Sequence, residues 1–304
     1  MDNILMLLFH HSATVIGGSN SVHSIVGALS LYSILLQLLY SYHRRKIKRL
    51  SEESQKLADE ENKQAHLLSQ MLPKTIAKQL LSGRMTKPET FHSVSVFCSD
   101  VVGFTSLCAK STPMQVVDIL NRFYTEFDQV LDANDCFKVE TVGDAYIVVS
   151  GLPERNEPAH SAALATVALD ILKRASQFKL THLERDESIL LRIGIHTGPC
   201  VAGVVGVKTP RYCLFGETMN IASSMESTSA PNCVQLSESA GAHIRHNHPE
   251  FEVKVRGRVK TTGQTTMITT WLIGKTGHPY TIDLAEAKQK YEQTTYWKYD
   301  VWMG

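Results

Sequence analysis

Three carboxylates sit where a chain has little structural reason to place them. Asp100 closes the β-branched and aromatic run Ser93–Asp100, SVSVFCSD. Asp144 falls at the break between two apolar runs in Val139–Gly151, VETVGDAYIVVSG, and Glu140 lies four residues before it. Each aspartate taken singly reads equally well as a turn residue ending a strand. Taken together, two carboxylates aimed at one spot make a hard, oxygen-only site suited to Mg²⁺ and phosphate oxygens. Two such ions can activate a hydroxyl and hold a leaving phosphate. The segment after Asp100, VVGFTS, adds Gly103, which lets backbone amides approach a ligand, and the amides of Phe104 and Thr105 open toward a helix, where anions are favoured.

The surrounding pattern decides whether the aspartates can meet. After SVSVFCSD, Thr112 can cap a helix with Pro113 in its first turn. Val116, Leu120, Phe123, Phe127 and Val130 then recur at helical spacing and predict one buried stripe. CFKVETVGDAYIVVSGL reads as two short strands broken at Gly143. A second helix is predicted over about Ala159–Phe178, and ILLRIGIHTG is a further strand. Strand, helix, hairpin, helix, strand is the split βαβ arrangement, so the expected fold class is α+β, with a ferredoxin-like sheet in which the first strand and the hairpin are neighbours. Short strands and one or two helices continue to TTWLIG, and the tail after Gly274 suggests no function.

Composition limits the alternatives. Of 304 residues 43% are apolar and 20% charged, which excludes a disordered chain, and the net charge of +1 gives no global field for nucleic acid. The six cysteines form no CxxC pair and read as reduced intracellular thiols. Charge is uneven: no Asp, Glu, Lys or Arg occurs between Asp2 and Arg44. Residues 22–42 are long enough to cross a bilayer as a helix, and five Lys or Arg follow from Arg44 to Arg49. The positive-inside rule puts the C-terminal bulk of the chain in the cytosol, and the missing basic n-region argues against a signal peptide. The expected organisation is a short extracellular segment (1–21), a transmembrane helix (22–42), a charged helical segment (43–87), a catalytic domain (88–274) and a tail (275–304). The 43–87 segment carries an interrupted seven-residue repeat, consistent with a coiled coil or a solvated linker helix.

Four blocks in order, VSVFCSDVVGFTSLCAKSTPMQVVDILNRFY, KVETVGDAYIVVSGLP, RIGIHTGPCVAGVVGVKTPRYCLFGETMNIAS and TTWLIG, resemble class III nucleotidyl cyclases, closest to the membrane, receptor-type guanylate cyclase branch, over about Lys87–Gly274. The resemblance implies that Asp100 and Asp144 bind two divalent ions, Mg²⁺ or Mn²⁺, with the carbonyl of Val101. It implies that Glu140 and Cys213 read guanine. That agrees with chemistry, because a carboxylate accepts from the N1–H and N2–H₂ donors and a thiol donates weakly to O6. It further implies that each site lies between two chains, in a homodimer or a heterodimer, with GTP as the substrate partner.

The chain also departs from that pattern. The resemblance expects an Asn and an Arg four residues apart; Asn220 is present, but Ser224 occupies the Arg position. A triphosphate-binding Lys is expected six residues after Arg256, where Thr262 stands, with Lys260 two residues earlier as a possible substitute. The implied function is a single-pass guanylate cyclase of the plasma membrane making cyclic GMP and pyrophosphate. The alternative is a catalytically impaired regulatory or heterodimer subunit. An adenylate cyclase is a third reading, opposed by Glu140 and Cys213.

Overall fold

The computed structural model describes residues 19–84, 86–179, 189–261 and 266–293. The chain divides into two compact units, Met1–Leu68 and Ser69–Gly304. Within the first, a continuous helix begins that runs Ser19–Met71 (α1). Its N-terminal half is apolar and solvent-facing from Ile25 onward, and it is the one helix among the described residues long and apolar enough to cross a membrane. The serines cost little there. Ser30 Oγ donates to the Val26 carbonyl at 2.8 Å and Ser33 Oγ to that of Ser30 at 2.9 Å, so neither hydroxyl is left seeking a partner in an apolar setting.

The second unit opens with a short helix, α2 (Lys74–Leu81), and then β1 (Glu89–Val101). A one-turn-plus helix, α3 (Phe104–Ala109), follows, and then α4 (Pro113–Asp132). Thr112 caps α4 with a reciprocal capping box: Thr112 Oγ1 accepts from the Gln115 amide at 3.3 Å, and Gln115 Oε1 accepts from the Thr112 amide at 2.8 Å. The hairpin is β2 (Phe137–Val142) and β3 (Ala145–Ser150), joined by Gly143 and Asp144 alone. Then come α5 (His160–Gln177), β4 (Leu191–Val205), β5 (Arg211–Phe215), α6 (Glu217–Ser227), β6 (Cys233–Ser237), α7 (Glu238–Asn247), β7 (Phe251–Lys260), β8 (Thr266–Lys275) and α8 (Leu284–Gln293).

The sheet order is β2-β3-β1-β4-β6-β8-β7, with β5 pairing the far end of β4. The first four strands are the expected split βαβ core. β1 lies antiparallel to β3 on one side and to β4 on the other, and its residues are buried on both faces because helices pack on each side of the sheet. One face carries Phe97, Val101, Tyr146, Val148, Ile193 and Ile195 against α4, α5 and α7, and this is the main core. The α4 stripe is rotated from the sequence expectation. Ile119 and Leu131 are buried with Phe123, Phe127 and Val130, whereas Val116 and Leu120 are only half-buried. The core-facing arc of a helix is broad, and the sheet centres it on Phe123 and Phe127.

The opposite face of the sheet takes α6. A Cβ on Gly194 of β4 would lie 2.0 Å from the Glu226 nitrogen and 2.5 Å from the Met225 carbonyl carbon, so strand and helix meet backbone to backbone. That contact fixes where the residues of α6 stand relative to the end of β1.

Candidate active site

The pairing of β1 with β3 brings Ser99 opposite Tyr146, which sets Asp100 and Asp144 side by side where the two strands end. The Val101 amide donates to Asp144 Oδ2 at 3.2 Å, tying the hairpin tip to the exit of β1. The carboxyl of Asp144 is pushed up to about 6, first by burial and then by the hydrogen bond and charge of Asp100. Burial and the neighbouring Asp100 carboxylate both disfavour the charged form of Asp144, as expected where two carboxylates share a site.

The hairpin loop suits this placement. Gly143 has φ +64° and precedes Asp144 in a two-residue connection, the position where such loops require glycine. Gly103, with φ +72°, turns the chain from β1 into α3; a Cβ there would meet nothing within 4 Å, so the backbone angle alone asks for glycine. Phe104 packs on the edge of the core, and Thr105 is exposed.

Arg192 of β4 belongs to the same site, although no sequence argument singled it out. It pairs with Asp100 in the register of β1 and β4, and its Nη2 donates to Asp100 Oδ2 at 2.5 Å. Its Nε lies 2.9 Å from Glu226 Oε1 on α6. Glu226 is pushed up to about 7 because burial outweighs the lowering effect of Arg192. A charged residue in the apolar run LLRIGI was the available signal, since arginine in a central strand needs acidic partners.

The remaining candidates are distributed more widely. Glu140 is exposed on β2, and Cys213 is half-buried on β5. Their strands touch: the rings of Phe137 and Tyr212, near neighbours of the two residues, meet edge-on with centroids 5.8 Å apart. Asn220 is exposed on α6. Ser224, one turn on, is buried with 2% of its surface exposed, so the two do not present themselves alike. Lys260 is exposed at the end of the edge strand β7, four strands from β1, or roughly 19 Å across the sheet. Within one chain the fold does not bring Lys260 to the aspartates. Thr262 lies outside the described residues.

The residues present fit a divalent ion. The donors are carboxylate oxygens, and their mutual repulsion is relieved by positive charge. Among the described residues no group of three or more His, Cys, Asp or Glu side chains converges on an ion, so backbone and substrate oxygens would have to complete its shell.

The fold is thus a split βαβ domain with two acids side by side where its first strand and hairpin end. Residues 86–274 match the family described as Adenylate and Guanylate cyclase catalytic domain, and the chain belongs to that family. It is similar to retinal guanylyl cyclase 2 of Rattus norvegicus, at 45% identity over 243 residues, covering 80% of this chain and 22% of the relative. It is also similar to receptor-type guanylate cyclase gcy-13 of Caenorhabditis elegans, at 47% identity over 225 residues, 74% of this chain and 22% of that one. The chain thus spans about a fifth of the length of these curated relatives.

Among solved structures it resembles the guanylate cyclase domain of RhGC from Catenaria anguillulae in complex with GTP. The TM-score is 0.57 and the identity 35%, over 62% of this chain and 99% of that one. It also resembles the non-canonical dimeric guanylyl cyclase domain of the RhoGC fusion protein from Blastocladiella emersonii, with TM-score 0.55 and 34% identity over 62% and 99% of the two chains. Homologous domains are thus known with GTP and as dimers, and cyclase domains of this family use divalent metal ions.

Proposed function

We propose that this chain is a guanylate cyclase that converts GTP to 3′,5′-cyclic GMP and pyrophosphate at a site shared between two chains. The observation that carries the reading is the meeting of Asp100 and Asp144 at the end of β1, with Asp144 held by the Val101 amide. In the reaction the ribose 3′-oxygen forms a bond to the α-phosphorus, the bond from that phosphorus to the β-phosphate bridge breaks, and the 3′-hydroxyl loses its proton. Bound Mg²⁺ or Mn²⁺, two per site, would lower the pKa of that hydroxyl and neutralise the phosphates.

The chain's own residues divide the remaining work. Asp100, Asp144 and the Val101 carbonyl hold the ions, and Arg192 orients Asp100 through its hydrogen bond. Glu140 accepts from N1–H and N2–H₂ of guanine, and Cys213 donates to O6. Asn220 hydrogen-bonds the substrate, the Gly103–Phe104–Thr105 backbone lies along the phosphates, and Lys260 reaches the triphosphate. The distance of Lys260 from the acids across the sheet supports a second chain as the source of the cationic group. We assign residues 22–42 to the bilayer, with the basic turn Arg44–Arg49 and the catalytic domain on the cytosolic side of the plasma membrane.

A specific observation favours a second reading, a half-competent subunit. Ser224 and Thr262 replace two cations, and Ser224 is buried. A cation on a reacting phosphate is worth roughly 10³–10⁵ in rate in other phosphoryl-transfer enzymes. Paired with a chain that carries both cations, this one would contribute Asp100, Asp144 and Arg192 to a single working site. The test is to assay the full chain with Mn²⁺ and GTP alone, and then mixed with a cyclase chain bearing Arg and Lys at those positions. Turnover alone that vanishes in Asp144→Ala supports the first reading. Turnover only in the mixture, lost when Asp144→Ala is in this chain, supports the second. No turnover in either case refutes both.

A further inference from the structure

Tyr124 stands on α4, away from the strands and loops that carry the two acids. Its hydroxyl donates to the carbonyl oxygen of Gly143. That carbonyl lies in the peptide plane that leads into Asp144, and a peptide plane moves as a unit. Anchoring it therefore fixes where the Asp144 Cα stands. From the other side the Asp144 carboxylate is held by the Val101 amide at 3.2 Å. The acid is thus gripped twice, once through its backbone and once through its side chain, at the tip of a loop only two residues long.

The ring that delivers the hydroxyl is itself immobilised. It stacks on Tyr146 with centroids 5.7 Å apart and planes at 30°. The Tyr146 hydroxyl donates to Asp128 Oδ1 at 2.5 Å, and Lys138 Nζ donates to the same carboxylate at 2.9 Å. Lys138 lies 5.4 Å from the Tyr124 ring centroid and 5.0 Å from that of Tyr146, so one cation covers both rings. The network closes across α4, β2 and β3. A phenylalanine at position 124 would keep the stacking and the cation; the hydroxyl adds only the bond to Gly143.

We propose that Tyr124 is a positioning residue: its hydrogen bond to the Gly143 carbonyl holds the hairpin tip so that the Asp144 carboxylate faces Asp100, where the pair would hold a divalent ion. The proposal rests on the metal-binding reading of the two aspartates given above.

Mn²⁺ alone, titrated into the full chain in detergent and followed by the EPR signal of the free ion, separates the two. Tyr124→Phe is expected to weaken Mn²⁺ binding about 3- to 10-fold, the net worth of one hydrogen bond, while the melting temperature stays within a few degrees of wild type. Lys138→Met strips the charge from the same rings without touching Gly143, and is expected to lower the melting temperature while weakening Mn²⁺ binding less than Tyr124→Phe does. Wild-type affinity in Tyr124→Phe, or equal weakening by Lys138→Met, overturns the proposal and leaves the metal reading standing. Wild-type protein that binds no more Mn²⁺ than Asp144→Asn overturns the metal reading itself, and the role of Tyr124 with it.

Discussion

Asp144 holds its position against the repulsion of Asp100, and the pair proposed to read the base, Glu140 and Cys213, lies elsewhere on the hairpin and on β5. That separation makes specificity adjustable without disturbing the metal face. Glu140→Lys with Cys213→Asp reverses the donor and acceptor pattern offered to the base. It should shift the ratio of kcat/KM for GTP over ATP by about 100-fold toward ATP, because polar groups that mismatch a bound base are left unpaired. Unchanged preference in that double variant removes Glu140 and Cys213 from base recognition. At this scale the meeting of Asp100 and Asp144 was legible, because carboxylates interrupt apolar runs in a strand and a hairpin expected to be neighbours. Arg192 and Tyr124 do not stand out. One looks like a strand residue and the other like part of a helical stripe, and only the register of β1 with β4 and the meeting of α4 with the hairpin tip reveal them. The burial of Ser224 was equally hidden, since four-residue spacing fixes a shared helix face but not how deeply the sheet covers each position.

Among the elements, α6 and β4 depend on one glycine. Gly194→Ala would drive a methyl into the backbone of Met225 and Glu226, and neither can yield as a side chain does. The cost should reach about 3 kcal/mol, the upper end for overpacking, and be read as a lowered denaturation midpoint. Because Glu226 pairs with Arg192 and Arg192 with Asp100, the same change should weaken Mn²⁺ binding; stability lost with affinity intact would show that α6 does not position the acids.

A second element-scale prediction concerns two buried histidines. His160 opens α5 and hydrogen-bonds Ser95 at 2.8 Å and Ser93 at 3.2 Å, with His243 stacked on it at 4.6 Å. His196 on β4 bonds Ser237 at 2.7 Å. Burial pushes both down to about 4, and His243 adds its charge at His160. Each is neutral in the fold and protonates in the unfolded chain below about 6.5, so their stabilisation is present above that pH and drains away as pH falls toward 4. Each contributes about 3 kcal/mol at most. Glu226 and Asp144, both raised, act with the opposite sign over the same range, so the histidines are read singly: NMR titration should find each imidazole neutral down to about pH 4, and protonation near pH 6.5 would contradict the buried, neutral assignment. The hairpin, the Thr112 cap of α4 and the β1 strand were legible because each has a local signature. The β4–α6 contact was not, since a glycine in RIGIHTG signals close approach without naming what approaches.

Across the whole molecule, the chain joins an apolar helix to a cyclase domain. The expectation is that the full chain sediments with membranes, resists alkaline carbonate and is released by detergent, and that deleting residues 22–42 frees it into the soluble fraction. Carbonate release of the intact chain would contradict a spanning helix. The split βαβ core was readable from the alternation of strand and helix signals. Its extension through β6, β8 and β7 was not, because β6 joins β4 in parallel after a crossover, and no local pattern reports which edge a later strand will take.

The central claim is that Asp100 and Asp144 form the metal face of a GTP-cyclising site. The most direct measurement is mass-spectrometric product analysis of the full chain incubated with Mn²⁺ and GTP, alone and mixed with a cation-bearing cyclase chain, each beside Asp144→Ala. The account predicts cyclic GMP and pyrophosphate in equal amounts, both lost in the variant. Cyclic GMP that persists at the wild-type rate in Asp144→Ala, or its absence from every mixture, would contradict it.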